Sequence, residues 1–176
     1  MNPSLVITAI GKDRPGIVNE LTEALLNAQL NIEDSRMSVL GGEFAVMLLV
    51  TGSKTSISAI EQNKDALSNS LNLNLLIKAT SSQPDTTGYS RYKITVHGMD
   101  NPGIVHKLAH YLSQQSINIV NMQTESRHAP HTGTPLFSVH MQVDIPTRHE
   151  INHVQDEFCN ICDELNMDAE FESESS

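Results

Sequence analysis

Runs of basic residues are missing from this sequence. Eleven lysines and arginines lie scattered among 21 aspartates and glutamates, giving a formal net charge of −10. Sustained contact with nucleic acid or an anionic membrane surface needs a cationic face, so direct binding to either is not expected. No apolar run approaches the roughly 20 residues that span a bilayer. The start, Met1-Asn2-Pro3-Ser4, passes straight into a strand-like run, without the basic and apolar segments of a secretory signal. The two cysteines, Cys159 and Cys162, do not suggest a disulfide-dense secreted domain. Together these absences predict a cytoplasmic protein. Also lacking are a Gly-x-Ser-x-Gly elbow, a P-loop and a dinucleotide-binding glycine fingerprint. No short Gly-turned helix pair carries a basic second helix of the kind that reads DNA. Neither catalytic residues nor a cofactor is expected.

What is present is a repeat. Residues 7–32 read ITAIGKDRPGIVNELTEALLNAQLNI, and residues 94–119 read ITVHGMDNPGIVHKLAHYLSQQSINI. The offset is 87 residues without gaps, and 12 of the 26 positions are identical. Chance does not arrange a strand, a Gly-x-Asp-x-Pro-Gly loop and an apolar helix stripe twice in register. Between the copies, Thr80 to Gly88 is polar and contains Pro and Gly, which marks a linker. The expected division is a first module at 1–79, a linker at 80–90, a second module at 91–172 and a frayed acidic tail at 173–176. Modules of about 80 residues are marginal alone, so mutual packing or oligomerisation is expected.

In the first copy, Leu5–Ile10 is a β-branched run and predicts a strand. Ile17, Val18, Leu21, Leu25 and Ala28 recur at helical spacing. Asp13 and Pro15 stand where a helix start wants a capping side chain and a preset φ. Asn31–Leu40 and Glu43–Val50 predict two strands joined by a Gly41-Gly42 turn. Ile57, Ile60, Lys64, Leu67 and Leu71 predict one helix with a polar interruption, and Leu73–Lys78 a last strand. The second copy repeats this order, with strands at Tyr92–Val96, Ile119–Ser126, Leu136–Val143 and Met167–Phe171. Its helices fall at Ile104–Gln114 and about Arg148–Leu165. Its hairpin is replaced by a longer, looser loop, Arg127 to Pro135. The pattern predicts an α+β chain of two ferredoxin-like βαββαβ modules, each an antiparallel sheet with its helices on one face. Ala45-Val46-Met47-Leu48-Leu49-Val50 does not alternate, so both faces of that strand are expected to be covered, one from elsewhere in this chain or in a second one. The first sheet is therefore the expected self-association surface.

The loop Gly11-Lys12-Asp13-Arg14-Pro15-Gly16 ends a strand and opens a helix. Unpaired N–H groups there favour a carboxylate, Gly16 allows close approach, and Asp13 with the Asn31 amide could take an ammonium. Asp100, Asn101, Pro102, Gly103 and Asn118 repeat the construction. Asp-x-Pro-Gly is equally a way to start any helix, and both readings stand at this point. The charged stretch Glu33-Asp34-Ser35-Arg36 reads either as a solvated strand face or as a polar rim for a partner. All eight histidines lie in the second half. His106 and His110 stand four apart but lack the glutamate of zinc proteases, and Cys159-Asn160-Ile161-Cys162 has no second ligand pair. No metal site is expected. An enzyme or metal protein using the histidines and the cysteine pair is the rival of a different class.

The module size, the Gly-x-Asp-x-Pro-Gly loop and the Asn-Ile opening of the second strand resemble an ACT domain, twice over nearly the whole chain. The opening from Leu5 to Asn19, with Asn31-Ile32-Glu33-Asp34-Ser35-Arg36-Met37, is similar to the glycine cleavage system transcriptional repressor family. The resemblance implies amino-acid sensing at an interface between modules. It assigns the ligand to Gly11, Asp13, Arg14, Pro15, Gly16, Ile17, Asn31 and Ile32, and to Asp100, Asn101, Pro102, Gly103, Ile104, Asn118 and Ile119. It assigns partner contact to Glu33, Asp34 and Arg36. It further implies a repressor without its own DNA-binding domain, which contacts a DNA-bound activator protein under the control of glycine. A general amino-acid-sensing regulator of an enzyme would share this fold and these sites.

Overall fold

A computed structural model of the chain describes residues 3–81 and 87–174. The chain divides into two units, Met1–Pro84 and Asp85–Ser176. The first contains β1 (Ser4–Lys12), α1 (Ile17–Asn27), β2 (Asn31–Leu40), β3 (Glu43–Thr51), α2 (Lys54–Gln62), α3 (Lys64–Leu71) and β4 (Asn74–Thr80). Its strands form one antiparallel sheet of order β2-β3-β1-β4. The expected ferredoxin-like α+β module is present. Leu5, Ile7 and Ala9 of β1 and Phe44, Val46, Leu48 and Val50 of β3 point alternately inward, and pack with Ile17, Leu21 and Leu25 of α1 and Ile57 and Ile60 of α2. Burying each large aliphatic side chain contributes about 1.5–3 kcal/mol, and the period-two and helical stripes place them all on one side of the sheet.

One detail differs from the sequence reading. The second helix is not continuous. Asn63, at φ −91° and ψ 8°, ends α2, and α3 starts behind it. Glu61, Gln62 and Asn63 are all exposed, so no buried side chain holds the chain to one helical axis there. On the far face of the first sheet lie exposed apolar side chains. Met47 stays 52% exposed, with Ile10 and Leu76 exposed on the same face.

The second unit contains β5 (Tyr89–Met99), α4 (Ile104–Gln114), β6 (Asn118–His128), β7 (Pro135–Pro146), α5 (Ile151–Glu164) and β8 (Met167–Ser173). The sheet order, β6-β7-β5-β8, matches that of the first unit. Its core joins Ile94, Val96, Val139, Met141 and Val143 to Leu108, Leu112, Val154, Phe158 and Cys162. The loop between β6 and β7 is tighter than expected. Ala129 N–H donates to the Thr134 carbonyl and Gly133 N–H to the Ala129 carbonyl, both at 2.9 Å. The chain past 173 is not frayed where it is described. Ser173 pairs with Tyr92, and Glu174 N–H donates to the Arg91 carbonyl at 3.0 Å. Residues 175–176 of the expected tail, and residues 82–86 of the expected linker, lie outside the described residues.

Both copies reuse the same backbone devices. The edge strands β2 and β6 each have a bulge, between Ile32 and Asp34 and between Ile119 and Asn121. Gly11 and Gly98 end their strands where a Cβ would lie 2.9 Å from the Asn72 carbonyl oxygen and 2.5 Å from that of Asn166. Because these obstacles are backbone, they cannot swing aside. Gly98→Ala is expected to destabilise the protein by about 1–3 kcal/mol, the range for overpacking. Urea unfolding checks this, and an unchanged midpoint would contradict the close-approach assignment.

Candidate functional site

Each helix that follows a Pro-Gly loop starts from a left-handed glycine. Gly16 has φ 87° and Gly103 φ 82°, and both stand at the N-cap without any side-chain cap. Asp13 therefore does not cap α1, and Pro15 does not open it. The glycine turns the chain between them and the helix, while Asp13 stays with the sheet, its N–H donating to the Gly42 carbonyl at 3.1 Å. Asp100 is held in the same way by the Pro135 carbonyl, at 3.0 Å. Only glycine takes this φ without strain, which accounts for its presence in both copies.

At the start of α1, Glu20 N–H donates to the Gly16 carbonyl at 3.0 Å. The N–H groups of Val18 and Asn19 meet no protein acceptor among the described residues. Both residues line a cavity of about 470 Å³ bounded by Asp13, Arg14, Pro15 and Gly16 of the loop and Ile17 of α1, with Met37 of β2 and Phe44 of β3. Free N–H groups at a helix start, opening on a cavity, suit an anionic group. Asp13 on the same wall suits a cationic one.

Arg14 ties this loop down. Its guanidinium donates to both oxygens of Glu20, at 2.7 and 2.5 Å, and to the Leu71 carbonyl at 3.4 Å. The hydrogen bond from Arg14 holds the Glu20 carboxyl below its ordinary range. Both side chains are well exposed, so the pair shapes the loop more than it stabilises the fold. In the second copy Asn101 stands in for Arg14. Its amide donates to the Leu165 carbonyl at 3.0 Å and the Met99 carbonyl at 3.3 Å. Leu71 and Leu165 each precede a left-handed asparagine, Asn72 and Asn166, so the two tethers are equivalent. Glu20 itself is replaced by Lys107, which makes no ion pair among the described residues.

Asn31 and Ile32 do not join Asp13 within one module. Across β3, Lys12 pairs with Glu43 and Asn31 with Thr51. Eight residues of antiparallel strand separate those positions, roughly 27 Å. The second copy is built alike, with Asp100 at Pro135 and Asn118 at Asp144. Asn31 instead donates to Glu33 at 3.0 Å, and Glu33 also accepts from the Thr51 hydroxyl at 2.7 Å. Thr51 first, and then Asn31, draws the Glu33 carboxyl below its ordinary range. Asp34 pairs with Arg36, and Glu33, Asp34 and Arg36 all stay exposed. Gly11 faces the turn at Asn72 rather than the cavity, and Ile104 is a core residue of α4. Pro102 and Gly103 share the second loop with Asp100, and Ile119 sits beside Asn118 at the far end of that sheet.

Val18, Asn19, Glu20, Met37 and Phe44 were not expected in the site. A signal for two of them was available. The Gly41-Gly42 hairpin fixes the register that pairs Met37 with Val46 and Val39 with Phe44, and this brings both side chains to the loop end of the sheet. Elsewhere, His106 and His110 are exposed, with ring centroids 6.0 Å apart. Among the described residues no group of three His, Cys, Asp or Glu side chains could hold a metal ion, and no helix is long and apolar enough to cross a membrane.

The duplicated βαββαβ units and their paired Pro-Gly loops define a tandem α+β scaffold. Residues 4–81 match the ACT domain family. The chain is 29% identical, over 92% of its length and 85% of the relative's, to the glycine cleavage system transcriptional repressor of Escherichia coli K12. It is 31% identical to a UPF0237 protein of Methanosarcina mazei, over 42% of this chain and 82% of that one. A crystal structure of an unknown protein from Galdieria sulphuraria superposes with a TM-score of 0.83 at 29% identity, covering 99% of this chain and 100% of that one. A second solved structure, provisionally described as a glycine cleavage system transcriptional repressor, gives a TM-score of 0.72 at 26% identity, covering 100% of this chain and 99% of the other. Residues 4–81 are thus an ACT domain, and the second unit repeats its sheet order.

Replacing Arg14 by Gln removes the main cause of the depressed Glu20 carboxyl. Its titration midpoint, followed by NMR, is expected to move up toward the ordinary carboxylate range. An unmoved midpoint would contradict the loop geometry.

Proposed function

We propose that the chain regulates transcription of the glycine cleavage system by contact with a DNA-bound activator protein, under the control of a small amino acid, glycine. The observation that carries this reading is similarity to the glycine cleavage system transcriptional repressor along 92% of the chain. Two further features support it. The net charge of −10 opposes direct DNA contact, so an effect on transcription has to pass through another protein. The cavity at the first loop offers an aspartate and two free helix N–H groups, complementary to the two ends of a zwitterion.

The ligand site is completed by a second copy. β2 is an edge strand exposed along its whole length, and Met37, Val39 and Leu40 on it are 53%, 46% and 71% exposed. The half of this edge beyond Arg36 is apolar and regular, and an exposed edge of that kind is a template for pairing. Antiparallel pairing of two β2 strands about a two-fold axis sets the Asn31 end of one copy against the Leu40 end of the other, beside its Asp13 loop. This restores the Asp13–Asn31 partnership that one module cannot form. It also narrows a cavity far larger than a two-carbon amino acid.

Thermal shift and calorimetry with the twenty amino acids test the reading. Glycine at 100 times its dissociation constant is expected to add about 2.7 kcal/mol of stability, and Asp13→Ala to remove that gain without unfolding the protein. Affinity capture with the activator's DNA complex is expected to retain the chain. Capture of an enzyme instead, with the amino-acid response intact, would favour the enzyme-regulator reading. No response to any amino acid would overturn the sensor reading.

A further inference from the structure

The duplication supplies an internal control for the far face of each sheet. In the first copy the positions Val6, Leu49 and Met47 form the centre of that face. The corresponding positions in the second copy are Lys93, Gln142 and His140. The fold therefore does not require polar groups there, yet the second copy carries them. They extend across three strands. Lys93 lies opposite Gln142 and Gln142 opposite Asn121, while Thr95 lies opposite His140 and His140 opposite Gln123. These six residues line a cavity of about 240 Å³.

A carboxylate is already seated at the edge of this grid. Beyond the end of β8, the side chain of Glu174 folds across β5. It accepts from Lys93 Nζ at 3.0 Å, and each of its oxygens accepts from Gln142 Nε2, at 2.9 and 3.0 Å. Its side chain is only 24% exposed although it lies past the end of β8. Arg91 does not compete for it, because Asp144 holds that guanidinium through two bonds at 2.8 and 3.0 Å. The donors that meet Glu174 come from two strands and converge on one group, unlike the separate solvated side chains of an ordinary open sheet face.

We propose that the far face of the second sheet is a binding site for a small polar carboxylate, and that Glu174 occupies it as a built-in competitor. An incoming carboxylate replaces Glu174 between Lys93 and Gln142. The body of the ligand then lies over Thr95, His140, Asn121 and Gln123, whose amide, hydroxyl and imidazole groups suit polar substituents. The site is separate from the Pro-Gly loops and does not rest on the function proposed for them. An intramolecular occupant lowers apparent affinity by the fraction of time the site is free. Removing it therefore tightens binding without any new contact.

The test uses the full chain, with acetate as the bare carboxylate and L-serine as the same group on a polar body. Side-chain amide signals of Gln142, Asn121 and Gln123 are followed by NMR. In Glu174→Gln, saturable shifts of these signals are expected at concentrations about tenfold lower than in the unaltered chain, and Lys93→Met in that background is expected to abolish them. Serine binding more tightly than acetate would identify an amino acid as the ligand class, and equal binding a bare carboxylate. A chain ending at Ser173 provides a second way of emptying the site. Amide signals that respond identically with and without Glu174, or that ignore both probes in Glu174→Gln, would overturn the proposal.

Discussion

The register of β3 between β1 and β2 is the constraint on which the rest of the site depends. Gly41 and Gly42, at φ 60° and 88°, set a tight hairpin, and from it the pairing runs to Thr51 with a single bulge. The Gly42 carbonyl also receives the Asp13 N–H, so the hairpin tip and the Pro-Gly loop are anchored together. This fixes two things at once. Met37 and Phe44 are delivered to the loop cavity, and Asn31 is carried to the opposite end of the sheet. A site that uses both Asp13 and Asn31 has to draw them from different modules, and the exposed edge strand β2 is the means proposed for doing so.

The two copies keep the backbone and change the chemistry. Left-handed glycines, edge-strand bulges and the tethers to Leu71 and Leu165 recur, because each answers a geometric requirement of the βαββαβ path. Apart from Asp13 and Asp100, charge at the loops does not recur. The first copy carries Arg14 neutralised by Glu20, while the second carries Asn101 and Lys107. The far faces diverge further, with Val6, Leu49 and Met47 in one copy against Lys93, Gln142 and His140 in the other. Such divergence under a common fold separates what the structure needs from what a ligand or partner would select.

Much of the fold was legible in the sequence because strand alternation, helix stripes and the glycine turn act locally. The repeat of residues 7–32 at 94–119 doubled that signal. The failures came where a distant partner decided the outcome. Asp13 looked like a cap because of its spacing from the helix, but the Gly42 carbonyl holds it on the sheet. Asn31 looked like a neighbour of Asp13 because both flank one helix, although the Gly41-Gly42 hairpin pairs Leu40 with Glu43 and so carries Asn31 to the far end of the sheet. Glu20 escaped notice because its partner, Arg14, lies before the helix and outside its periodicity. Glu174 was read as part of a frayed acidic tail, and its ordering depends on Lys93 and Gln142, 81 and 32 residues away. The break at Asn63 followed from an exposed stretch that periodicity had bridged.

A mixing experiment tests the shared site most directly. Asp13→Ala and Asn31→Ala chains are prepared separately, and glycine binding is measured by calorimetry for each alone and for the two refolded together. A site shared between copies leaves each parent silent, while each mixed dimer regains one intact site, built from Asp13 of one copy and Asn31 of the other. A mixture as silent as its parents, or a parent that binds as the unaltered chain does, would contradict the account.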